Sequence, residues 1–331
     1  MELNGISQDI PRRSEPKAPV LVVVVPCFNE AQVITETASR LIAILNELAA
    51  KSKVDANSFI YFVNDGSKDN TWELIEGLHR NDDRIKGLKL ARNFGHQNAL
   101  LAGLMSIKDR ADCAISIDAD LQDDVSAIEE FIDRYHQGYE IVYGVRRERS
   151  QDTLFKKYTA IIYYKIINFL GVNVVYNHAD FRLTSNQVLN VLASFREFNL
   201  FLRGLFPLIG FKSTSVYYDR GKRLAGESKY PLRKMVSFAL EGITSFSIVP
   251  LRMVTIFGFI IFFLSLSMIV HIFYETLVKH NTIPGWASTV LPIYFIGGLQ
   301  LLGIGLLGEY IGKIYKEVKS RPRYITETEI F

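Results

Sequence analysis

The sequence predicts an α/β domain with a mostly parallel sheet, followed by two membrane-spanning helices. Short apolar runs alternate with helical patterns over the first 150 residues, as in sheets covered by helices on both faces. Two later stretches, 253–274 and 281–308, contain no Asp, Glu, Lys or Arg and are each long enough to cross a bilayer. The competing interpretation is that these stretches are core helices of a soluble protein.

The predicted strands are short runs rich in Val, Ile, Phe and Tyr, each ending in a polar, Gly or Pro residue. They are "VLVVVVP" (20–26), "FIYFVND" (59–65), "KGLKLAR" (86–92), "CAISID" (113–118) and "EIVYGVR" (140–146). Helical patterns between them cover Ala31–Ala50, Thr71–Arg80 and Gln97–Ile107. Because ligands of parallel sheets bind beyond the carboxyl ends of the strands, the site is expected there.

The later segments predict contact with a membrane. Residues 154–170 form an amphipathic helix that lies either on the sheet or on a membrane surface, and 230–250 read as a juxtamembrane amphipathic helix. The predicted organisation is then a flexible segment at 1–19, the α/β domain at 20–229, the juxtamembrane helix at 230–250, two spans with a short external loop at 251–308, and a cytoplasmic basic tail at 309–331.

Charge and cysteine usage narrow the class of protein. The net charge of +3 is too small to suggest nucleic acid, and the basic residues flank the apolar runs, which places both ends of the chain in the cytoplasm. The polar first 19 residues lack the apolar core of a removable signal peptide. Cys27 and Cys113 lie beside strand-like runs and are expected as reduced core residues.

The stretch "SIDADLQDD" (116–124) crowds carboxylates behind a predicted buried strand. Asp118 and Asp120 flank Ala119, so small rotations bring both towards one ion, and Mg²⁺ or Mn²⁺ favours few carboxylates together with phosphate oxygens. The alternative is a solvated loop. Asp123 and Asp124 are interpreted as carboxylates at the start of the next helix, where the helix dipole favours them.

Seven motifs in order give a family resemblance: "VVVPCFNE", "VNDGSKDNT", "LARNFGHQNAL", "DADLQDD", "YGVR", "DFRL" and "AGESKYPLRKM". Over residues 20 to about 235 they resemble glycosyltransferase family 2, and within it the polyisoprenyl-phosphate glycosyltransferases, which include dolichol-phosphate mannose synthase. The two apolar runs extend the likeness to the bacterial bactoprenol glucosyltransferases.

The resemblance implies a GT-A fold, a nucleotide-sugar donor and a divalent metal, Mg²⁺ or Mn²⁺. It implies that the donor pocket is lined by Pro26, Phe28 and Glu30, that Asp65 meets the base or ribose, and that the metal and the donor diphosphate are held by Asp118 and Asp120 with Gln122 nearby. Two alternatives stay open: Asp65 caps the helix starting near Lys68, and Glu30 is a first-turn carboxylate.

The acceptor is expected to be a lipid phosphate. Processive relatives carry a Q-x-x-R-W motif, which this sequence lacks, so a single transfer is expected. A phosphomonoester is already largely ionised at neutral pH and needs cations more than a base. Suitable cations are Arg146, Arg182, Arg203, Arg220, Arg223 and Lys229, and of these Arg146, Arg223 and Lys229 are the expected phosphate ligands. Asp180 of "DFRL" is expected to orient the acceptor or to act as a weak base.

The expected function is inverting transfer of a hexose, glucose from UDP-glucose, to a polyprenyl phosphate such as undecaprenyl phosphate at the cytoplasmic face of a bacterial inner membrane. Alternatives are the same chemistry with GDP-mannose or an aminoarabinose nucleotide, and a non-catalytic membrane scaffold. Gly308 and Gly312 form a small-x-x-x-small pair that favours a homo-oligomer, and the resemblance favours a tetramer. The alternative is that these glycines pack the two spans of one protomer.

Overall fold

The computed structural model of the protein describes residues 18–120, 122–147, 178–195, 202–219, 249–277 and 285–331. The strands are β1 (Leu21–Cys27), β2 (Phe59–Asn64), β3 (Ile85–Leu90), β4 (Cys113–Ser116), β5 (Ile141–Arg146), β6 (His178–Ser185), β7 (Ser213–Tyr218) and β8 (Thr326–Ile330). The helices are α1 (Ile34–Ala50), α2 (Thr71–Asn81), α3 (His96–Ile107), α4 (Ala127–His136), α5 (Asn186–Ser194), α6 (Leu202–Ile209), α7 (Val249–Leu277) and α8 (Trp286–Val318).

The eight strands form one sheet in the order β7-β5-β6-β4-β1-β2-β3-β8. β1 pairs in parallel with both β2 and β4, and β2 pairs in parallel with β3. The chain therefore leaves β1 towards β2 and β3 on one side and reaches β4 on the other. This reversal of strand order opens a crevice beyond the carboxyl ends of β1 and β4, which is the usual ligand site of such sheets.

Helices cover both faces of the sheet. One hydrophobic cluster joins the strands to α1, α2 and α4, with Leu41, Ile75 and Phe131 at its centre. The other joins them to α3, α5 and α6, with Leu101 and Phe206. Every residue of β1 and β2 is buried, because strands covered on both faces need apolar side chains in both directions.

The predicted α/β domain with a mostly parallel sheet is confirmed. The five predicted strands and three predicted helices are found with ends shifted by a few residues. Both cysteines are buried free thiols, as expected, and burial raises the pKa of the Cys27 thiol well above its usual value. Three strands, β6, β7 and β8, are absent from the sequence prediction.

Strand β8 changes the interpretation of the C-terminal segment. Residues 309–331 are expected as a basic tail, but they contain the end of α8 and then β8, which pairs antiparallel with β3. Tyr61 Oη donates to Glu329 Oε1 at 2.7 Å, and the Phe331 ring packs edge-on against Phe59 at 5.4 Å between centroids. Residues 326–331 are therefore part of the α/β domain, where β8 covers the edge of β3.

The chain before β8 also contacts the α/β domain. Arg323 Nη2 donates to the carbonyl oxygen of Phe195, and Ala91 N donates to the carbonyl oxygen of Ile325 at 2.9 Å. Tyr324 packs against the cluster beneath α3. Only residues 319–322 separate the end of α8 from the first of these contacts.

The two long helices bear on the predicted membrane spans. α7 has 29 residues and α8 has 33, and many of their apolar side chains are exposed, including Phe263, Phe295 and Leu301. Within the described residues one segment, Phe295–Val318, is long and apolar enough to cross a bilayer, with a mean hydropathy of 1.4. The prediction of two spans is thus not confirmed. Residues 1–17, the predicted helix at 154–170 and most of the predicted juxtamembrane helix, 230–248, lie outside the described residues.

Candidate active site

The loops after β1 and β2 are held together by hydrogen bonds between backbone and side chains. Asn29 N donates to Ser67 Oγ at 2.9 Å, and Asn29 Oδ1 accepts from Lys68 N at 2.8 Å. Glu30 N donates to Thr71 Oγ1 at 3.0 Å. Asn29 has a φ of 57°, a conformation that asparagine tolerates better than most residues. The two loops therefore form one wall of the crevice.

Asp65 fixes a third loop in this wall. Its Oδ1 and Oδ2 accept from Phe94 N at 2.7 Å and Gly95 N at 2.9 Å, directly before α3. Gly66 allows the approach, since a Cβ there would lie 2.4 Å from the Arg92 carbonyl carbon. Burial raises the pKa of Asp65. Asp65 thus anchors the loop before α3 rather than capping a helix near Lys68, and its contact with a base or ribose stays a prediction.

The other expected donor residues surround the end of β1. Pro26 is buried within the strand, and Phe28, 40% exposed, follows its last residue. The Glu30 carbonyl accepts from Val33 N and Ile34 N at 3.0 Å each, so Glu30 lies just before α1 and not in its first turn. Of the three, Phe28 offers an exposed ring to a ligand.

Asp118 and Asp120 follow β4 at the predicted place. The carbonyl oxygen of Ala119 between them accepts from Thr37 Oγ1 of α1 at 2.8 Å, which fixes the turn. Asp120 Oδ1 accepts from Gln122 N at 3.2 Å, and the Gln122 side chain is almost fully buried. The structure therefore brings Asp118, Asp120 and Gln122 together in one short turn at the crevice.

The surroundings of Asp118 fit a cation. Burial raises its pKa to about 6, opposed by His96 and reinforced by the charges of Asp180, Asp123 and Asp120. Its Oδ1 is inaccessible to solvent and accepts no hydrogen bond from the described residues, although the ring of His96 is near. The described residues contain no cluster of three or more His, Cys, Asp or Glu suited to a metal. Mg²⁺ and Mn²⁺ need only one or two carboxylates when phosphate oxygens complete the shell, so the carboxylates present fit such an ion.

A second acidic centre lies beside the first. Asp180, in β6, pairs with Arg182 at 2.7 Å through Oδ1 and with Arg203 of α6 at 3.0 Å through Oδ2. Its carbonyl oxygen accepts from Ser116 Oγ of β4 at 2.5 Å. His96, the first residue of α3, places Nε2 at 3.5 Å from both Asp180 Oδ2 and Asp118 Oδ1. One imidazole ring therefore links the two centres.

Electrostatics argue against Asp180 as a base. Burial alone would raise its pKa, but His96, Arg203 and Arg182 hold the pKa well below the usual value. Burial also lowers the pKa of His96, yet Asp180 and Asp118 outweigh burial and leave it raised. A carboxylate with a lowered pKa is a weak proton acceptor. The geometry thus favours the other predicted role, orientation of a neighbouring group.

Arg146 lies at the end of β5, where its guanidinium is tied to other side chains. Its Nη2 donates to Asp123 Oδ1 at 3.0 Å, and Tyr218 Oη donates to the same oxygen at 2.6 Å. The interpretation of Asp123 as a helix-start carboxylate is wrong, because α4 begins at Ala127 and Asp123 is buried in this pair. Asp124 accepts from Ser126 N at 3.0 Å, close to the helix start as expected.

Two expected acceptor ligands, Arg223 and Lys229, lie outside the described residues. His96 and Tyr218 are site residues that the sequence does not predict, nor does it predict the partners of Asp180. His96 lies within the quoted motif "LARNFGHQNAL", so a local signal exists for it. Tyr218 has none, since its partner Asp123 is 95 residues away in the chain.

Comparisons with known proteins agree with the motifs. The sequence model of Glycosyl transferase family 2 matches residues 22–193. The chain is 53% identical over 313 residues to a Bacillus subtilis (strain 168) protein named Uncharacterized glycosyltransferase YkoT, covering 95% of this chain and 93% of that one. It is 40% identical over 306 residues to the SfII prophage-derived bactoprenol glucosyl transferase of Shigella flexneri, covering 92% and 96%.

Among solved structures, the comparison finds a likeness to glucosyl-3-phosphoglycerate synthase from Mycobacterium tuberculosis in complex with Mn²⁺, uridine diphosphate and phosphoglyceric acid. It has a TM-score of 0.44 and 17% identity, covering 68% of this chain and 76% of that chain. The predicted family resemblance is confirmed by the sequence relatives, and the α/β domain is GT-A-like.

Proposed function

Because the chain belongs to glycosyltransferase family 2, we propose that it transfers a hexose, glucose from UDP-glucose, to a polyprenyl phosphate such as undecaprenyl phosphate. The observation that carries this proposal is the carboxylate pair Asp118 and Asp120 at the end of β4, in the crevice where the strand order reverses. Relatives named bactoprenol glucosyl transferase over most of the chain support the lipid acceptor.

The proposed reaction is a single displacement. An oxygen of the acceptor phosphate attacks the anomeric carbon, the bond from that carbon to the donor's phosphate oxygen breaks, and the nucleoside diphosphate leaves with the bonding electrons. The configuration at the anomeric carbon inverts. The acceptor phosphate carries about 1.5 to 2 negative charges near pH 7, so the attacking oxygen needs no strong base. This agrees with the lowered pKa of Asp180.

Asp118 and Asp120, with Gln122 beside them, are the groups proposed to hold Mg²⁺ or Mn²⁺ together with the donor diphosphate. When bound, the cation supplies positive charge that stabilises the departing diphosphate. The chain's own contribution is a fixed turn, since Thr37 and the Gln122 amide hold the backbone and Asp120 in place. Pro26, Phe28, Glu30 and Asp65 are proposed to line the nucleotide pocket.

The acceptor side is proposed to face the membrane. Phe295–Val318 supplies a candidate span, and Arg223 and Lys229 precede α7, so they are proposed to hold the lipid phosphate at the cytoplasmic face of a bacterial inner membrane. A homo-oligomer, a tetramer by family resemblance, is proposed through α8. A Cβ added at Gly303 would lie 3.5 Å from Val254 Cγ1 of α7, so Gly303 faces the other long helix. A Cβ added at Gly308 or Gly312 would meet no described atom within 4 Å, so these two glycines leave room for another protomer.

The test is a donor panel on the full chain in detergent. UDP-glucose, GDP-mannose and an aminoarabinose nucleotide are each supplied with undecaprenyl phosphate and Mn²⁺, and the lipid product is identified by mass spectrometry. Glucosyl phosphoryl undecaprenol of inverted configuration is the expected product. Product from another donor alone would correct the sugar, and nucleotide release that is independent of the lipid would contradict the acceptor. No metal-dependent release with any donor would favour the scaffold.

A further inference from the structure

Arg203 is held in the crevice by Asp180. Its Nε donates to Asp180 Oδ1 at 3.1 Å and its Nη2 donates to Oδ2 at 3.0 Å, so two parallel bonds fix the plane of the guanidinium. The Arg203 side chain remains 34% exposed, and the described residues give its Nη1 no partner. The edge of the guanidinium that carries Nη1 is therefore open to a ligand.

The other arginines of the crevice are less suited to an incoming anion. Arg182 is 1% exposed, and its guanidinium lies over the Phe206 ring at 4.4 Å. Arg146 donates through Nε and Nη2 to Asp123, with Tyr218 as a further partner of Nε. Of these three cations, Arg203 is the most exposed, at 34% against 26% for Arg146.

Charge and position direct Arg203 towards the reacting groups. Arg182, Arg203 and Asp180 together carry one net positive charge, which attracts an anion. His96 Nε2 lies 3.5 Å from both Asp180 Oδ2 and Asp118 Oδ1, so the carboxylate that holds Arg203 and the carboxylate proposed to serve the donor diphosphate meet at one nitrogen atom. An anion on Arg203 would thus lie beside the donor and not on top of it.

We propose that Arg203 binds the acceptor phosphate directly and that Asp180 is the positioning residue that aims Arg203 at it. This inference rests on the proposed function, and it adds Arg203 to Arg146 as a phosphate cation of the described residues. A planar guanidinium matches two phosphate oxygens at once, a geometry that a lysine ammonium cannot reproduce. Asp180 holds the arginine in the bound orientation before the lipid arrives, so less side-chain entropy is lost on binding.

The experiment compares Arg203→Gln and Arg203→Lys with wild type as full chains in detergent. Loss of one charge-assisted contact should lower kcat/KM for undecaprenyl phosphate by about 10- to 100-fold in Arg203→Gln. Arg203→Lys should recover part of it, because the charge remains without the fork. The affinity for UDP should stay within about twofold, since the residues proposed to hold the donor are Asp118, Asp120 and the loops after β1 and β2, and not Arg203. Arg134→Gln, which breaks a surface pair with Glu130 on α4, is the matched control and should change neither quantity.

A second measurement separates this inference from the identity of the sugar. Binding of farnesyl monophosphate without any donor, followed by calorimetry, reports the phosphate site alone. Weaker binding to Arg203→Gln than to wild type supports the inference even where the donor panel corrects the sugar. Equal farnesyl phosphate affinity for both proteins overturns it. The inference is also overturned if UDP affinity falls as much as the transfer rate does, and by the same factor in Arg203→Gln and Arg203→Lys. A contact with the donor or a structural role would then explain the effect.

Discussion

Asp118 and Asp180 each lie 3.5 Å from the same imidazole nitrogen, His96 Nε2, yet their surroundings are opposite. Asp118 has three other carboxylates in its field, and its pKa is raised to about 6. Asp180 is enclosed by two guanidinium groups, and its pKa is held well below its usual value. The difference shows that neighbours brought by the fold, such as His96 and Arg203, help to set the pKa of each acid together with its own motif.

Asp118 lies mainly among other carboxylates, whereas Asp180 is paired with two guanidinium groups of the chain. Crowded carboxylates repel one another until a cation neutralises them, so the Asp118 side gains stability from a ligand that the chain does not supply. The negative charge of Asp180 is already neutralised by Arg182 and Arg203. Asp180 is therefore expected to contribute to the stability of the fold as well as to acceptor binding. Four experiments test this contrast.

The largest expected effect is on catalysis at the Asp118 side. Asp120→Asn should lower the rate of transfer by about a thousandfold or more, because it removes a ligand of the charge that stabilises the leaving diphosphate. The midpoint of thermal unfolding should change little, since Asp120 is not enclosed by the core. Asp124→Asn, in the same loop, is the control and should retain most activity. Wild-type transfer rates in Asp120→Asn would remove the metal assignment.

The next effect is on stability at the Asp180 side. Asp180→Asn leaves the buried Arg182 without its counter-charge, which should cost about 3–5 kcal/mol of unfolding free energy in urea titrations. A carboxylate with a lowered folded pKa stabilises the protein above its unfolded value of 3.8, and that stability is lost as pH falls through the folded pKa. The gap between wild type and variant should therefore narrow below about pH 4. A difference in unfolding free energy that stays constant with pH would contradict the ion pair. The control is Asp109→Asn at an exposed carboxylate, which should not differ from wild type in unfolding free energy.

Adding Mn²⁺ should distinguish the Asp118 centre from the Asp180 centre by thermal stability alone, without a transfer assay. Mn²⁺ at a hundred times its dissociation constant should stabilise the wild-type chain by about 2.7 kcal/mol, and chelation should reverse this. The stabilisation should persist in Arg203→Gln and disappear in Asp120→Asn. Differential scanning calorimetry in detergent measures both. Equal stabilisation of all three proteins would mean that the cation binds elsewhere.

The smallest expected effect concerns the pair that lies outside both centres. Tyr218→Phe removes the hydrogen bond to Asp123 and the longer one accepted from Arg146 Nε, and it leaves the bonds from Arg146 to Asp123 in place, so the cost should be about 1–2 kcal/mol of unfolding free energy. Tyr217→Phe, at a 59% exposed neighbour, should stay within about 0.5 kcal/mol. A larger loss of transfer than of stability in Tyr218→Phe would extend the acceptor site towards Arg146.

The sequence predicts the first half of the sheet because its signals are local. β1 and β2 are unbroken apolar runs, and Asp118 and Asp120 follow a third such run, so pattern and position together indicate the crevice. The bounds of α1 and α2 differ from the prediction by three residues at most, since their apolar periodicity ends where the loops begin.

The rest of the site depends on pairings between residues far apart in the chain. β6 lies antiparallel between β4 and β5, and this brings Asp180 beside Ser116, 64 residues earlier. β8, "TETEI", is a polar edge strand, which resembles a tail when it is judged by composition alone. Arg182 lies in the same motif as Asp180, but Arg203 and the partners of Asp123 are distant in the chain and have no signature near these acids.

The short connection from α8 to the α/β domain limits how far the enzyme can move. Residues 319–322 span roughly 18 Å at full extension between Val318 and the contact of Arg323 with Phe195. With α8 in a bilayer, the crevice would stay within a fixed height of the lipid surface, and the encounter with a lipid phosphate becomes a lateral, two-dimensional search. Turnover would then depend on the surface density of the acceptor and not on its bulk concentration.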